Sequence, residues 1–297
     1  MTDADHDPGA LGHEALVAPH PLLWEPLVRA ALLEDLGRAG DLTSDAIVPT
    51  ALLARGRVVA RQGGCVAGLG PATRALTLFD PRVEVEAQVQ DGATVGAGTT
   101  LALVRGPARA LLGAERTLLN LLGRLCGIAS ATRSVVEALR GTQAQVVCTR
   151  KTTPGLRVLE KYAVRAGGGA NHRFGLDDAV LIKDNHLALA GSVGEAVSRV
   201  RRHVGHMVKV EVEVESLAQL EAALAAGVDA VLLDNMNLEQ LRRATSVVAG
   251  RVLTEASGGI RPDNAAAIAA TGVDLLSIGW LTHSAPSLDV ALDLELG

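Results

Sequence analysis

The second half of the chain alternates short apolar segments with helical ones, and this pattern constrains the fold more than any other feature. After Gly141 the apolar segments are QVVCT, DAVLI, VKVEVEV, DAVLL, RVLTEA and DLLSIG. Stretches with helical spacing separate them, such as SVGEAVSRVRRHVG and SLAQLEAALAAG. Strands that alternate with helices predict a parallel sheet with helical crossovers, which is an α/β fold.

The length of this half limits the kind of α/β fold. An eight-stranded barrel takes roughly 250 residues, and only about 150 follow Gly141. We therefore predict an atypical shortened α/β barrel with about six or seven parallel strands. A doubly wound open sheet is the alternative.

The first half has a different periodicity. Residues 21–37 have helical spacing and end in glycine, GDLTSDAIVP is predicted to be a polar loop, and residues 54–106 alternate as antiparallel strands do. One or two long helices follow. We predict a disordered leader at 1–20, an α+β open-sheet N-terminal domain at 21–126, a barrel catalytic domain at 127–285, and a tail at 286–297 that packs back on the N-terminal domain.

Composition excludes several classes of function. Aromatic residues make up 2% of the 297 residues and the net charge is -5, so nucleic-acid binding is disfavoured. No basic residue precedes Arg29 and no apolar run opens the chain, so neither a signal peptide nor a membrane anchor is expected. Three widely spaced cysteines without a CxxC motif indicate reduced thiols and a cytoplasmic protein.

The predicted strand ends carry most of the candidate site residues. In α/β folds, ligands bind at the carboxyl ends of parallel strands. The residues at those ends are Thr149, Arg150, Lys151, Lys183, Glu213, Asp234, Ser257, Gly258, Gly259, Ile278, Gly279 and Trp280.

Lysine usage gives two of these positions more weight. The chain has four lysines and 24 arginines, and all four lysines fall within 59 residues. A lysine retained in an arginine-rich chain indicates a site that needs a compact ammonium group. Lys151 and Lys183 lie at strand ends and are candidates for this role. Lys161, predicted on a solvated helix face, and Lys209 are interpreted as ordinary lysines.

The segment from Arg150 to Lys183 is cationic within an acidic protein. It has seven basic side chains against three acidic ones, and GGGANHR adds His172 beside Arg173. Arginine binds carboxylate or phosphate in a bidentate manner and lysine adds a point charge. The segment therefore predicts a pocket for a small polyanion.

Acids at the ends of two other strands suggest a metal. Glu213 and Asp234 can jointly face a hydrated Mg²⁺, which prefers a few carboxylates, waters and substrate phosphates. The alternative for Asp234 is to cap the following helix. Glu211 and Glu215 lie on the same strand face as Glu213 and are interpreted as partners of basic neighbours.

A phosphate site is expected near the last two strands. Gly258 and Gly259 precede Pro262, which suits a helix start, and barrels commonly bind phosphate with the loops after their last strands. The chain has no Walker A sequence, GxGxxG or HExxH, so the usual markers of nucleoside triphosphate, dinucleotide and zinc-protease sites are missing.

Taken together, these segments resemble the quinolinate phosphoribosyltransferases, also called nicotinate-nucleotide pyrophosphorylases (carboxylating). The resemblance extends over nearly everything from Leu33 to Ala291. Its main segments are LLEDLGRAGDLTSDAIVP, ERTLLNLLGRLCGIAS, TRKTTPGLRVLEKYAVRAGGGANHR, LIKDNH, VEVEVESLAQ, VLLDN, EASGGI and LTHSAP.

The resemblance implies a reaction. Phosphoribosyl pyrophosphate would donate its phosphoribosyl group to quinolinate, with loss of CO₂ and pyrophosphate, giving nicotinate mononucleotide for NAD synthesis. The matched positions imply that Lys151, Lys183, Glu213 and Asp234 are catalytic and that Mg²⁺ accompanies the donor.

The resemblance also assigns binding roles and an assembly. Quinolinate carboxylates would be received by Arg116, Arg150, His172 and Arg173, with Lys151 and Lys183 beside them. The 5-phosphate would lie at Ser257, Gly258, Gly259, Ile278, Gly279 and Trp280. The family is dimeric, so the resemblance implies a homodimer in which Arg116 acts across the interface.

Two other functions are considered. A paralogue of the kind associated with molybdenum transport would use the same scaffold for another anionic substrate. DGATVGAGTTLALVRG resembles a turn of biotinyl and lipoyl carrier domains, but a carrier needs a modifiable lysine there, and the first lysine is Lys151.

Overall fold

The computed structural model describes residues 16–296. Of the predicted leader, residues 1–15 lie outside the described residues. Residues 16–20 have neither helical nor strand structure, and a short 3₁₀ helix follows at Pro21–Leu23.

The N-terminal half contains a four-stranded antiparallel sheet with helices packed on it. The elements are α1 (Glu25–Leu36), α2 (Leu42–Ile47), β1 (Leu53–Ala60), β2 (Gly64–Cys65), α3 (Leu69–Phe79), β3 (Glu84–Ala87), β4 (Thr94–Val95), β5 (Thr100–Pro107) and, from the chain end, β12 (Val290–Leu296). The sheet has the strand order β12-β1-β5-β3, and a two-stranded ribbon pairs β2 with β4.

The segment GDLTSDAIVP, predicted to be a polar loop, contains helix α2, so that prediction was wrong. Asp41 caps this helix because its side chain accepts a 2.9 Å hydrogen bond from the backbone N–H of Ser44. Ser44 itself is buried, which anchors the helix. Capping and burial offset the weak tendency of so short a segment to form a helix.

One long helix, α4 (Ala108–Ala138), joins the two halves of the molecule. It runs without a break through the predicted domain boundary between 126 and 127. Its apolar face is buried along its length, and side chains such as Leu118 and Ile128 are fully enclosed. The helix therefore holds the N-terminal sheet and the parallel sheet as one packed unit.

The second half alternates strand and helix as predicted. Its elements are β6 (Gln145–Val147), α5 (Arg157–Ala166), β7 (Val180–Ile182), α6 (Asp184–Ala190), α7 (Val193–His203), β8 (Val210–Val214), α8 (Leu217–Ala225), β9 (Ala230–Asp234), α9 (Leu238–Val248), β10 (Leu253–Ser257), α10 (Pro262–Ala269), β11 (Leu275–Ser277) and α11 (Trp280–His283).

The strand order identifies the architecture. The six parallel strands follow the order β6-β11-β10-β9-β8-β7, which is the cyclic order of a barrel opened between its first and second strands. A doubly wound sheet would reverse direction at a switch point, so that alternative is wrong. Ala170, from the segment after α5, forms a parallel bridge with Val147 on the free edge of β6. The prediction of a shortened barrel with about six or seven parallel strands is confirmed, with six strands in the described residues.

The end of the chain returns to the N-terminal sheet. β12 pairs antiparallel with β1 over seven residues, and Val58 lies opposite Leu292 in this register. Gly127 makes the approach of the preceding segment possible, because a Cβ there would collide with the carbonyl oxygen of Pro286. The tail thus lies on the N-terminal domain. Within residues 16–296, no helix is both long enough and apolar enough to cross a membrane.

Candidate active site

The carboxyl ends of the parallel strands surround a cavity of about 1170 Å³. Every predicted site residue except Arg116 lines it. Those residues are Thr149, Arg150, Lys151, His172, Arg173, Lys183, Glu213, Asp234, Ser257, Gly258, Gly259, Ile278, Gly279 and Trp280.

One side of the cavity holds two guanidinium groups close together. The Nε atom of Arg150 is buried and has no hydrogen-bond partner within the described part of the chain. Burial and the nearby charge of Arg150 lower the pKa of Arg173. Arg173 donates to the carbonyl oxygen of Ala179 at 2.9 Å, which fixes its position. Two partly desolvated like charges are unfavourable unless an anion joins them, so this side is built for an anionic ligand.

The backbone of Lys151 is held firmly while its side chain remains exposed. Its N–H donates to the hydroxyl of Thr149 at 3.0 Å, and its carbonyl oxygen accepts from the hydroxyl of Thr282 at 2.9 Å. The side chain passes directly over Gly279, where an added Cβ would lie 2.8 Å from the Lys151 Cδ atom. Glycine at 279 therefore leaves room for the lysine.

Two acids lie on neighbouring strands beside this cationic side. The Nζ atom of Lys183 is 2.8 Å from the Glu213 Oε2 atom. The side-chain amide of Asn235 donates to the Asp234 Oδ2 atom at 2.7 Å. Helix α9 is capped by Asn237, so the capping interpretation of Asp234 was wrong. Both carboxylates are partly exposed and line the cavity.

Glycines and Trp280 shape the wall of the cavity formed by the loops after β10 and β11. Gly258 and Gly259 have φ angles of 103° and 62°, which favour glycine, and a Cβ on Gly258 would collide with the Asn235 side chain. The indole N–H of Trp280 donates to the carbonyl oxygen of Ile260 at 2.8 Å. The tryptophan thereby ties the loop after β11 to the loop after β10.

Arg116 lies apart from this cavity. It is an exposed residue of α4 and lines a separate pocket of about 330 Å³. Glu34, Asp35 and Asn120 line that pocket with it. Within one chain, the structure does not bring Arg116 together with the other predicted site residues.

The comparisons with known proteins agree over most of the chain. The N-terminal domain of quinolinate phosphoribosyl transferase matches residues 41–126, and the C-terminal domain matches residues 128–293. The chain belongs to the quinolinate phosphoribosyl transferase family. It is 45% identical over 275 residues to the probable nicotinate-nucleotide pyrophosphorylase (carboxylating) of Bacillus subtilis strain 168, covering 93% of this chain and 94% of the relative.

Other relatives give the same result. The nicotinate-nucleotide pyrophosphorylase (carboxylating) of Mycobacterium leprae is 46% identical over 275 residues, with 90% of this chain and 95% of that protein covered. The crystal structure of NadC from Streptococcus pyogenes superposes with a TM-score of 0.91 at 43% identity, covering 95% of this chain and 99% of that one. The α/β fold with an N-terminal antiparallel domain is thus that of the quinolinate phosphoribosyl transferases.

The floor of this transferase cavity contains a cluster that the sequence did not reveal. The Nε2 atom of His172 lies 2.9 Å from Glu211 and 3.6 Å from Glu255. Both acids are buried, and Glu255 lines the cavity. Burial lowers the pKa of His172, but the hydrogen bond that it donates to Glu211 and the charge of Glu255 outweigh burial and raise that pKa. Glu211 was expected to pair with a basic residue, and its partner is this histidine.

Lys161 is the clearest error among the predictions. Instead of lying on a solvated helix face, it is 1% exposed. Its Nζ atom contacts the Cys148 Sγ atom at 3.0 Å and donates to the carbonyl oxygen of His172 at 2.9 Å. A lysine buried without a carboxylate partner costs free energy unless its donors are satisfied. Here it fixes the backbone of the loop that carries His172 and Arg173.

Two signals could have indicated these missed residues. Glu255 interrupts LTEAS, an otherwise uncharged strand, and Lys161 follows Glu160 in the helical segment RVLEKYAV, among apolar neighbours. A charge inside an apolar pattern is expensive and usually has a partner or a function.

Proposed function

We propose that this chain transfers the phosphoribosyl group of phosphoribosyl pyrophosphate to quinolinate and releases CO₂ and pyrophosphate, forming nicotinate mononucleotide for NAD synthesis. The observation that carries the proposal is the pair of partly desolvated guanidiniums, Arg150 and Arg173, in the same cavity as Glu213 and Asp234. The names of the relatives support the same reaction.

The cationic side suits a pyridine dicarboxylate. Arg150 and Arg173 offer planar forks for carboxylates, and His172 lines the same cavity. The exposed ammonium of Lys151 adds a mobile point charge at the same edge. These groups bind and orient the substrate, and orientation is a large part of the rate enhancement in such a reaction.

The acidic side suits the ribose. Breaking the bond between ribose C1 and pyrophosphate develops oxocarbenium character, which the carboxylates of Glu213 and Asp234 stabilise electrostatically. Lys183 pairs with Glu213 at 2.8 Å and orients this carboxylate. The backbone around Gly258 and Gly279, in the loops after β10 and β11, receives the 5-phosphate, with Trp280 in the same wall.

Magnesium is part of the proposal. Glu213 and Asp234 supply oxygen donors on neighbouring strands, and each already has one hydrogen-bonding partner, so the remaining oxygens fit a cation that keeps several waters and bridges to substrate phosphates. When bound with the donor, Mg²⁺ would neutralise the leaving pyrophosphate. The two carboxylates would hold the ion.

A homodimer with shared active sites would account for Arg116. This arginine is exposed on α4 and outside the cavity of its own chain. Large apolar side chains on the same N-terminal half are also exposed, including Leu33 at 68% and Leu42 at 70%. Exposed apolar area of this kind marks interaction surfaces. In the proposed dimer, Arg116 of one subunit reaches the quinolinate site of the other.

The reaction is proposed to occur in the cytoplasm. Cys65, Cys126 and Cys148 are all free and buried. Burial raises the pKa of the Cys126 thiol to about 12, so it stays protonated and inert. Such thiols suit a reducing compartment.

Purified protein mixed with quinolinate, phosphoribosyl pyrophosphate and Mg²⁺ tests the proposal. We expect CO₂ and nicotinate mononucleotide to form in equal amounts, and a chelator of divalent cations to stop both. Folded protein that forms neither product would refute the assignment. Turnover of a different anionic acceptor in place of quinolinate would favour the paralogous function.

A further inference from the structure

Glu255 is a buried acid in the wall of the reaction cavity that no role described above uses. It lies in the middle of β10, is 1% exposed and lines the cavity. Its Oε1 atom is buried and has no hydrogen-bond partner among the described residues. A buried carboxylate oxygen without a partner costs free energy if it is charged, so this position favours the neutral acid.

The neighbours of Glu255 strengthen this preference. His172 accepts a 2.7 Å hydrogen bond at Nδ1 from the N–H of Arg173, so the neutral ring carries its proton on Nε2. That proton points to Glu211, at 2.9 Å, rather than to Glu255, at 3.6 Å. Glu255 therefore faces a second carboxylate without receiving the proton of His172.

The groups that face Glu255 from each side set its titration. Burial and the charge of Glu211, on β8, raise the pKa of Glu255 to about 7, while His172 and the hydroxyl of Ser277, on β11, act in the opposite direction. The neighbouring strand β9 places apolar Leu232 opposite it in the register. Glu255 therefore titrates near neutral pH, where it carries a proton that it can donate.

Decarboxylation requires a group that can donate a proton near neutral pH. The inference rests on the proposed function, in which the ring carboxylate next to the ribosylated nitrogen leaves as CO₂. The carbon–carbon bond breaks, the electron pair stays on the ring carbon, and the cationic ring nitrogen stabilises it. One proton must then be added to that carbon. Arg150 and Arg173 retain their protons, and the Nε2 proton of His172 is directed at Glu211. The ammonium of Lys151 is exposed at the edge of the cavity, whereas Glu255 is enclosed in its wall.

We infer that Glu255 is the proton donor of this step. The proton moves from Glu255 to the ring carbon as the carboxylate departs, leaving a C–H bond on the product and an ionised Glu255. Solvent entering the open cavity after product release returns the proton. His172 and Glu211 act as positioning residues, because their mutual hydrogen bond keeps the proton of the histidine away from Glu255.

The test compares Glu255→Gln with the wild type in single turnovers, following CO₂ release and nicotinate mononucleotide together. Glutamine keeps the shape of the side chain but has no proton to transfer. We expect the rate of product formation to fall about 100-fold or more, the range of general acid catalysis, with the KM for quinolinate within about threefold of the wild type. Glu239→Gln, at an exposed position of α9, is the matched control and should leave the rate unchanged.

The pH profile separates proton donation from a purely structural role. Glu255 is protonated below its pKa, so the wild-type rate should fall as the pH rises through about 7. The Glu255→Asp variant should be slower than the wild type, but its rate should still fall as the pH rises. The rate of the Glu255→Gln variant should not show this fall. A Glu255→Gln variant of full activity, or a wild-type rate that does not change from pH 6 to 8.5, overturns the inference. A wild type that forms no product refutes the proposed function instead. If the glutamine variant does not fold, the wild-type and aspartate profiles still decide.

Discussion

The hydroxyl of Thr282 donates a 2.9 Å hydrogen bond to the carbonyl oxygen of Lys151, which precedes it by 131 residues. Thr282 is fully buried in α11, directly after the last parallel strand, and Lys151 follows the first. Because β6 and β11 are neighbours in the sheet, this bond joins the two loops at the edge of the cavity. It fixes the backbone from which the exposed ammonium of Lys151 extends.

Replacing Thr282 with valine should therefore weaken catalysis more than binding. Valine has nearly the same shape but leaves the Lys151 carbonyl oxygen without its donor, so the free energy of unfolding should fall by about 1 kcal/mol. We expect kcat to fall about tenfold, because small misplacements of catalytic groups are costly. Steady-state kinetics and urea denaturation measure the two effects. Thr282→Ser keeps the hydroxyl and should retain most activity; an equal loss in both variants would contradict this account.

The fully buried carboxylate of Glu160 organises the loop on the other side of Lys151. It accepts from the N–H and the hydroxyl of Thr153 at 3.0 and 2.8 Å and pairs with Arg124 at 2.9 Å. Glu160→Gln leaves Arg124 with an uncompensated charge, so we expect unfolding free energy to fall by about 3 kcal/mol in denaturant titrations. The exposed pair of Glu239 and Arg243 offers a comparison, and Glu239→Gln should cost less than about 1 kcal/mol. Similar losses in the two variants would show that burial of Glu160 is unimportant.

Local periodicity was enough to predict the alternating strands and helices of the second half. Each strand is short, apolar and flanked by helical spacing, and burial of Val212 or Leu233 on β8 and β9 follows directly from that pattern. The order of the strands could not be read from it, because a barrel and a doubly wound sheet share the same local pattern. Helix α2 was missed because one capping residue, Asp41, and the burial of Ser44 decide it.

The site could be predicted where its residues lie at strand ends and not where they lie inside elements. Lys151 follows β6 and Asp234 is the last residue of β9, so topology alone places them at the cavity. Glu255 and Lys161 are in the middle of a strand and a helix, where the sequence indicates burial or exposure but not the partner. The contact of Lys161 with the loop carrying His172 depends on how α5 packs, which only the tertiary structure specifies.

Acid should remove the contribution of Asp229 to stability. Burial raises the pKa of Asp229, but the N–H of Val210 together with Lys209 and Arg201 outweighs it and holds this pKa at about 2. A lowered folded pKa stabilises the protein above the unfolded value of about 4, and the contribution is lost as the pH falls through about 2. Because the basic partners are largely exposed, we expect only about 1 kcal/mol at pH 7.

Asp229→Asn measures this contribution. Denaturant titrations should show the difference from the wild type at pH 7 and a progressively smaller difference from pH 5 to pH 3. High salt should also reduce it, because Lys209 is 78% exposed and its charge is screened. A difference that is constant over this pH range would mean that the charge of Asp229 is not what stabilises the protein.

Mixing two inactive variants should restore activity if Arg116 acts in the active site of a second subunit. Lys151→Ala removes a group of the cavity and Arg116→Ala a group outside it, so we expect each variant to fold and to be inactive alone. After unfolding and refolding together in equal amounts, half of the dimers should be mixed, and in each mixed dimer one site receives both native residues. About a quarter of all sites should then be active.

Lys151→Ala refolded with Lys183→Ala is the control, because both residues belong to the same cavity. In each mixed dimer of these two variants, every site lacks one of the two lysines. Sedimentation measures assembly and product formation measures activity. No recovery in the Arg116 mixture despite dimers would show that each active site is complete within one chain. Recovery in the control would show that Lys151 and Lys183 do not serve the same site.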